Sequence, residues 1–362
     1  MSKSNRLSGL ELFRGLAIYG VVLVHADEGI SEAPFGWGIL LKFAEFGVPF
    51  FIAGSFFLSV KKLLYGKKSY PLVSRIRRLL IPYVFWTVLY LVYKLIKYKI
   101  DGDLEQLNLL LINPLEIILF GGAAFHLYFI PLLIAGAFLL KACDLIKVEK
   151  LPPLPTLLLW ILSLIIYQII LSTNNGFDLV TITAFKPILS SLPANIASSP
   201  LIKIIAVELA WILRCLPYLW GALLIYQYQI DRKIQQLNFA QIAMIVFSFC
   251  LINGAGYLVI PEALQEIMRG YSAILAAIAI SSLLKESKVI TSIGASSFGI
   301  YLMHLIVLDI FQIASNRLGF LNLSHPSMFA LLLITTCGFI IPWILSIYLM
   351  QSKSLSQLMF GS

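Results

Sequence analysis

The sequence predicts an all-α, polytopic integral membrane protein of about ten transmembrane helices with both termini cytoplasmic. Three observations carry that prediction. Hydrophobic residues make up 59% of the 362 and charged residues only 12%, against roughly 25% charged in a soluble domain. Ten apolar runs approach the roughly 20 residues that cross a bilayer. The basic residues gather in alternate loops, as they do when Lys and Arg stay on the cytoplasmic side. No stretch is long and polar enough for a soluble domain, so residues 1–362 read as a single membrane domain.

The first run, 11–30, follows Lys3 and Arg6 and begins with Glu11 and Arg14. Charges at that point spoil the apolar core of a cleavable signal, so the run reads as a retained helix. Runs 38–60, 79–98, 124–141, 154–172, 204–226, 239–258, 262–284, 291–313 and 328–350 follow. Pro152 and Pro153 mark the start of the fifth of the ten. The stretch 107–120, LNLLLINPLEIILF, is broken by Pro114 and bears Glu116, which suits an interfacial or re-entrant segment. Residues 179–203 are rich in Ser, Pro and Asn and belong to an outer loop, 173–203.

With the N-terminus inside, the basic loop 61–78 is cytoplasmic and holds Lys61, Lys62, Lys67, Lys68, Arg75, Arg77 and Arg78. Lys141, Lys147 and Lys150, then Arg232 and Lys233, then Lys285 and Lys288 fall in the later inner loops. Lys94, Lys97 and Lys99 form the one cluster on the opposite side. Topology and contact with anionic lipid therefore account for most of the net charge of +9. The distribution gives no reason to expect a nucleic-acid partner. Cys143, Cys215, Cys250 and Cys337 are scattered singly, with neither metal-ligand spacing nor a disulfide framework, and no metal is expected.

The segment RGLAIYGVVLVH runs from Arg14 to His25. Eleven positions at about 100° each make close to three whole turns, so the two side chains share a helix face. At about 1.5 Å per residue, His25 lies roughly 16 Å beyond Arg14, close to the bilayer midplane if Arg14 is interfacial. An ionisable group at that depth is a functional candidate. Desolvation keeps an imidazole neutral, and a neutral imidazole can take a proton from a hydroxyl. The competing reading is a histidine bonded structurally to a neighbouring helix. Glu28, three residues on, either holds the imidazole tautomer or is an interfacial acid at a helix end. Glu11 is placed to pair with Arg14.

Arg75 and Arg78 share a face three residues apart, while Arg77 lies off it. Guanidinium groups pair bidentately with phosphate, although a topology signal alone also explains them. Tyr301 and His304 sit one turn apart on the ninth run, and His126 opens the fourth beside Phe125 and Tyr128. Lys42 with Glu45, and Glu266 with Arg269, are spaced as neutralising i,i+3 pairs; Glu208 and Arg214 need partners on other helices.

The Arg–x10–His spacing of the first helix resembles the signature of the membrane acyltransferase-3 family. The segment EFGVPFFIAGSFFLSVKK is similar to the family's GVxxFFxxSGxL element, and RIRR, Arg75 to Arg78, to its Arg-x-x-Arg motif. FHLYFI, Phe125 to Ile130, resembles HLWFL, and SSFGIYLMH, Ser296 to His304, resembles SYxIYLxH. The five run in family order. Tyr128 for Trp, Phe298 for Tyr and IAGS for LSG are departures that bear on acceptor specificity.

The resemblance implies an acyl-CoA-dependent membrane O-acyltransferase of a bacterial inner membrane. Its donor would be acetyl-CoA or another acyl-CoA, and its acceptor an envelope or extracellular glycan or lipid-linked sugar. It implies His25 as catalytic base with Arg14 its essential partner, Arg75 and Arg78 at the donor, and His126, Tyr301 and His304 lining the acceptor cavity. The rival reading is a transporter or flippase for a lipid-linked or small anionic solute, with His25, Arg14 and Arg214 lining its path. Such a protein should show repeated halves with interrupted helices, and the sequence has no internal repeat. Single cysteines replacing Lys68 and Asn175 should react from opposite sides of the membrane, Lys68→Cys from the cytoplasm. Labelling of both from one face would rule out the ten-span arrangement.

Overall fold

The computed structural model describes residues 7–30, 32–66, 69–103, 105, 106, 108, 114–172, 185–197, 199–319, 321, 323 and 325–362. Lys3, Arg6, Lys67, Lys68, Asn175, residues 107 and 109–113, and the 173–184 portion of the expected outer loop lie outside the described residues. The main helices in chain order are α1 Ser8–Val24, α2 Trp37–Ala44, α3 Gly47–Tyr65, α4 Leu72–Asp101, α5 Phe129–Leu145 and α6 Pro153–Ser172. Then come α7 Pro200–Gln227, α8 Phe239–Ala255, α9 Glu262–Ser281, α10 Lys288–Leu318, α11 Met328–Met350 and α12 Lys353–Phe360. Among the described residues there is no strand.

Among the described residues, eight stretches are long and apolar enough to cross a membrane: Trp37–Tyr65, Phe125–Leu145, Phe239–Leu258, α4, α6, α9, α10 and α11. The two other expected spans, 11–30 and 204–226, fall on α1, which ends at Val24, and within α7; neither is among the eight. The chain is an all-α polytopic membrane protein. Its outer surface says so residue by residue. On α4, Val84, Val88, Val92, Ile96 and Ile100 are all exposed at a spacing of four, an apolar ridge that only a lipid surround makes stable. Helix starts follow ordinary capping rules: Asn238 and Gln241 form a capping box at α8, and Ser287 and Ser327 accept from Ile290 and Ala330 at α10 and α11.

Three boundaries differ from the apolar runs. α1 stops at Val24 rather than continuing to Ile30, so His25 sits at the end of its helix, not within it. The turn that follows offers its polar groups to side chains instead of to the next helical turn: the Ala26 carbonyl accepts from Gln312 Nε2 at 3.1 Å. The second span is broken at Glu45 and Phe46, between α2 and α3. Of the 107–120 stretch, Pro114–Phe120 is a seven-residue helix, too short to span. Part of the expected outer loop is also helical, at Lys186–Ser190 and Ala194–Ala197.

The chain divides into two compact units. One comprises residues 1–55 and 225–352, with α1 packed against α2, α9, α10 and α11. The approach of α1 to the start of α3 is close enough that a Cβ at Gly47 would lie 2.6 Å from the Ala17 carbonyl oxygen, the small-residue contact by which membrane helices gain van der Waals contact. Phe249 of α8 meets Phe13, Phe43 and Phe46 edge-on at 5.3, 5.7 and 5.2 Å between ring centroids. The other unit comprises residues 56–224 and 353–362. Here α12 packs on α4, where Trp86 Nε1 donates to the Met359 carbonyl at 2.9 Å. The Asp144 carboxylate accepts from the Tyr70 amide at 3.0 Å and from Lys141 Nζ at 2.9 Å, tying the α3–α4 connection to the end of α5. α4 has 30 residues, about 45 Å of helix, so its last turns, with Lys94, Lys97 and Lys99, extend beyond a hydrocarbon layer of about 30 Å. That length accommodates the one basic cluster that opposed the loop pattern.

The buried Arg269 of α9 donates from Nη1 to Glu45 Oε2 at 2.6 Å, while Lys42 Nζ meets Oε1 of the same carboxylate at 2.8 Å. Lys42 and Glu45 thus pair as expected, but Arg269 reaches across to Glu45 rather than along its own helix to Glu266. Glu45→Ala should therefore strand the Arg269 guanidinium and cost about 3 kcal/mol. Thermal unfolding in detergent should show the loss, and adding Arg269→Met to the same chain should recover much of it.

Candidate functional site

At the end of α1 the backbone leaves the helix at His25, which serves as its C-cap with φ −101° and ψ 0°. The turn brings Glu28 back towards it, and His25 Nδ1 lies 2.5 Å from Glu28 Oε1. A carboxylate accepts, so the proton belongs on Nδ1 and Nε2 is the basic nitrogen. On the other side is α10. The His304 ring centroid is 5.4 Å from that of His25, and the Tyr301 ring is 6.2 Å from His304. His304 is wholly buried, and its Nδ1 lies 2.7 Å from the Tyr301 carbonyl. A carbonyl also only accepts, so His304 too carries its proton on Nδ1 and presents Nε2 as an acceptor. Phe298 stacks on Tyr301 at 6.1 Å. Four expected residues, His25, Glu28, Tyr301 and His304, are therefore gathered in one cluster.

Arg14 is placed differently. It lies eleven residues before His25 on the sequence, roughly 16 Å away along the axis, and it does not touch the imidazole. Its Nη1 pairs instead with Glu11 at 3.3 Å. Beside this pair is a pocket of about 190 Å³ lined by Glu11, Gly15, Tyr19, Ile290, Ile293 and Phe339, among others. Arg14, in the second turn of α1, and His25, its C-cap, are each held by a carboxylate three residues away.

The remaining expected residues belong to the other unit. Arg75 and Arg78 lie in the first two turns of α4, Arg75 half-buried and Arg78 exposed. Tyr70, just before the helix, is buried, and burial pushes its phenol up from the usual value against the opposing pull of Arg75 and a hydrogen bond with Ser59. It therefore stays neutral beside Arg75 and leaves that guanidinium's charge in place. His126 is buried in a 3₁₀ turn, Phe125–Tyr128, that leads into α5, with the Tyr90 ring edge-on at 5.1 Å. This turn needs Gly121, whose φ is +78° and whose Cβ would overlap the Tyr128 amide. Tyr83 steadies the same stretch, accepting from the Gly121 amide at 2.9 Å and donating to the Ile117 carbonyl at 3.1 Å. Among the described residues no cluster of three or more His, Cys, Asp or Glu has the geometry of a metal site.

Sequence reasoning passed over two side-chain contacts of the residues that follow His25. Asp27, on a different side of the turn from Glu28, accepts from Trp37 Nε1 at 2.9 Å. Gln312 binds the Ala26 carbonyl. The Gln312 contact joins distant parts of the chain, and Asp27 meets Trp37 across the connection between α1 and α2, so no helical periodicity announces either.

The family model described as an acyltransferase domain, that of the acyltransferase-3 family, matches residues 7–348. No curated protein and no solved structure gives a significant match. The matched stretch runs from the start of α1 to the last turn of α11 and takes in every candidate residue of both units. The chain belongs to the acyltransferase-3 family and is a membrane acyltransferase.

Proposed function

We propose that this acyltransferase moves an acyl group, acetyl in the simplest case, from cytoplasmic acyl-CoA to a hydroxyl of an envelope or extracellular glycan or lipid-linked sugar. The observation that carries the proposal is the Glu28–His25 pair, 2.5 Å apart, beside the buried His304. In this reading His25 Nε2 takes the proton of the acceptor hydroxyl as its oxygen attacks the thioester carbonyl carbon. The tetrahedral intermediate collapses with breakage of the carbon–sulfur bond, and the proton passes from Nε2 to the departing thiolate. Glu28 keeps the Nδ1 tautomer and stabilises the transient imidazolium. His304 and Tyr301 hold the imidazole against α10 and contact the acceptor. The step balances with these groups, donor and acceptor alone.

Arg75 and Arg78 are the proposed anchor for the phosphates of coenzyme A, a role suited to paired, permanently charged guanidinium groups. Arg14, paired with Glu11 in the first half of α1, is the proposed partner of His25 in fixing that helix. We further propose that both termini are cytoplasmic, as the loop charges favour, and that the protein resides in a bacterial inner membrane, surrounded by anionic lipid.

His25→Gln keeps hydrogen-bonding capacity but cannot accept a proton near neutral pH. Acyl transfer in membranes, normalised to folded protein, should fall by about 10²–10⁴-fold, with acyl-CoA binding largely retained. Near-normal transfer by His25→Gln would make the histidine structural and the mechanism wrong. Replacing both Arg75 and Arg78 by Gln should raise the donor KM by the equivalent of about 2–4 kcal/mol. Turnover at saturating donor should change little, and an unchanged KM would return these arginines to a topological role.

A further inference from the structure

The turn that carries His25 and Glu28 is short, polar and irregular. It leaves α1 at Val24 and is held within itself by the Ala26 amide on the Leu23 carbonyl at 3.2 Å and the Ile30 amide on the Asp27 carbonyl at 3.0 Å. Two side chains from distant segments close on it. Trp37, at the first turn of α2, is completely buried, and its indole N–H donates to Asp27 Oδ2 at 2.9 Å. Gln312, two turns beyond His304 on α10, donates to the Ala26 carbonyl at 3.1 Å. Ala26 itself is completely buried. The residues immediately after His25 are therefore gripped from α2 and from α10, while His25 itself leans on His304 and Glu28.

The grip has a clear physical use. A carbonyl at a helix C-terminus has no partner in its own helix, and leaving it buried without one costs free energy. Gln312 answers it with a side chain from the helix that also presents His304. A buried indole N–H likewise needs an acceptor, and here it finds the Asp27 carboxylate, just before Glu28. Breaking either bond frees the turn to rotate about the end of α1, which moves Glu28 from Nδ1 and the imidazole from His304.

We infer that Trp37, Asp27 and Gln312 are positioning residues for His25: they latch its turn to α2 and α10 and so fix the nitrogen that takes the proton. The inference rests on His25 being the base proposed above. Displacing a catalytic group by about 1 Å costs on the order of 10- to 100-fold in rate, and the latch is what prevents such a displacement.

The test uses the full chain in membranes, with Trp37→Phe, Asp27→Ala, Asp27→Asn and Gln312→Met. Trp37→Phe removes the indole N–H together with part of the buried ring, so it is read beside Asp27→Ala, which removes the acceptor alone; it should lower kcat on the order of 10- to 100-fold with the donor KM unchanged. Asp27→Ala should do the same, and Asp27→Asn, whose amide oxygen still accepts from the indole, should recover most of the loss. A second readout is independent of turnover. Carbethoxylation by diethyl pyrocarbonate, followed at the His25 peptide by mass spectrometry, should be several-fold faster in Trp37→Phe and Gln312→Met than in the parent. A general loss of folding would speed labelling at the buried His126 as well; the latch predicts a change confined to His25. Unchanged turnover and unchanged His25 labelling, with His25→Gln inactive, overturn the latch while leaving the base in place. An active His25→Gln overturns the base, and the latch with it.

Discussion

Ionisable groups on α1 and in the turn that ends it have to be answered inside a solvent that offers them little, and a carboxylate three residues away answers each. Glu11 takes Arg14 and Glu28 takes His25, both at a spacing of three residues. The two answers differ in what they leave behind. The Arg14 pair joins two opposite charges, whereas the His25 pair joins an imidazole to a carboxylate that orients it. Around this helix pack α2, α9, α10 and α11, so α1 cannot shift without disturbing most of its unit. Bilayer solvation thus dictates both where charges are permitted and which helix sits at the centre.

Much of this was readable from the residues alone. The spans are legible because length and apolarity are direct consequences of bilayer thickness. The Glu11–Arg14 pair is legible because i,i+3 neighbours on a helix meet, and Glu28–His25 and Lys42–Glu45 meet at the same spacing where a helix ends. What lay hidden is long-range. Nothing local to Asp27 announces Trp37, nothing near Ala26 announces Gln312, and the Arg269 guanidinium looks equally suited to Glu266 until α2 is seen to lie beside α9. The end of α1 was hidden for another reason. The run to Ile30 contains no proline, and its first glycine near that end is Gly29, so the helix stops where outside side chains capture its polar groups rather than where its own residues break it.

Chemistry is divided in the same way. The family match establishes acyl transfer in a membrane, and the carboxylate–imidazole pair supports base chemistry at one end of α1. The cationic residues at the start of α4, with the neutral Tyr70 beside Arg75, support recognition of phosphate. Neither set resembles a symmetrical transport path. One is built around an imidazole and a carboxylate, the other around fixed positive charge.

The length of α4 has a consequence for how the protein meets its surroundings. Its 30 residues exceed what a typical hydrocarbon layer accepts upright, and its lipid-facing ridge is made of β-branched side chains with few rotamers to yield. The helix can answer a change in bilayer thickness only by tilting or by pushing its ends further into the headgroups. Arg75 and Arg78 stand at one of those ends and Lys97 and Lys99 at the other. The height of the arginines above the acyl chains is consequently a property of the membrane as much as of the protein. Lipid chain length thereby becomes a physical setting on the arginines' access to soluble anions.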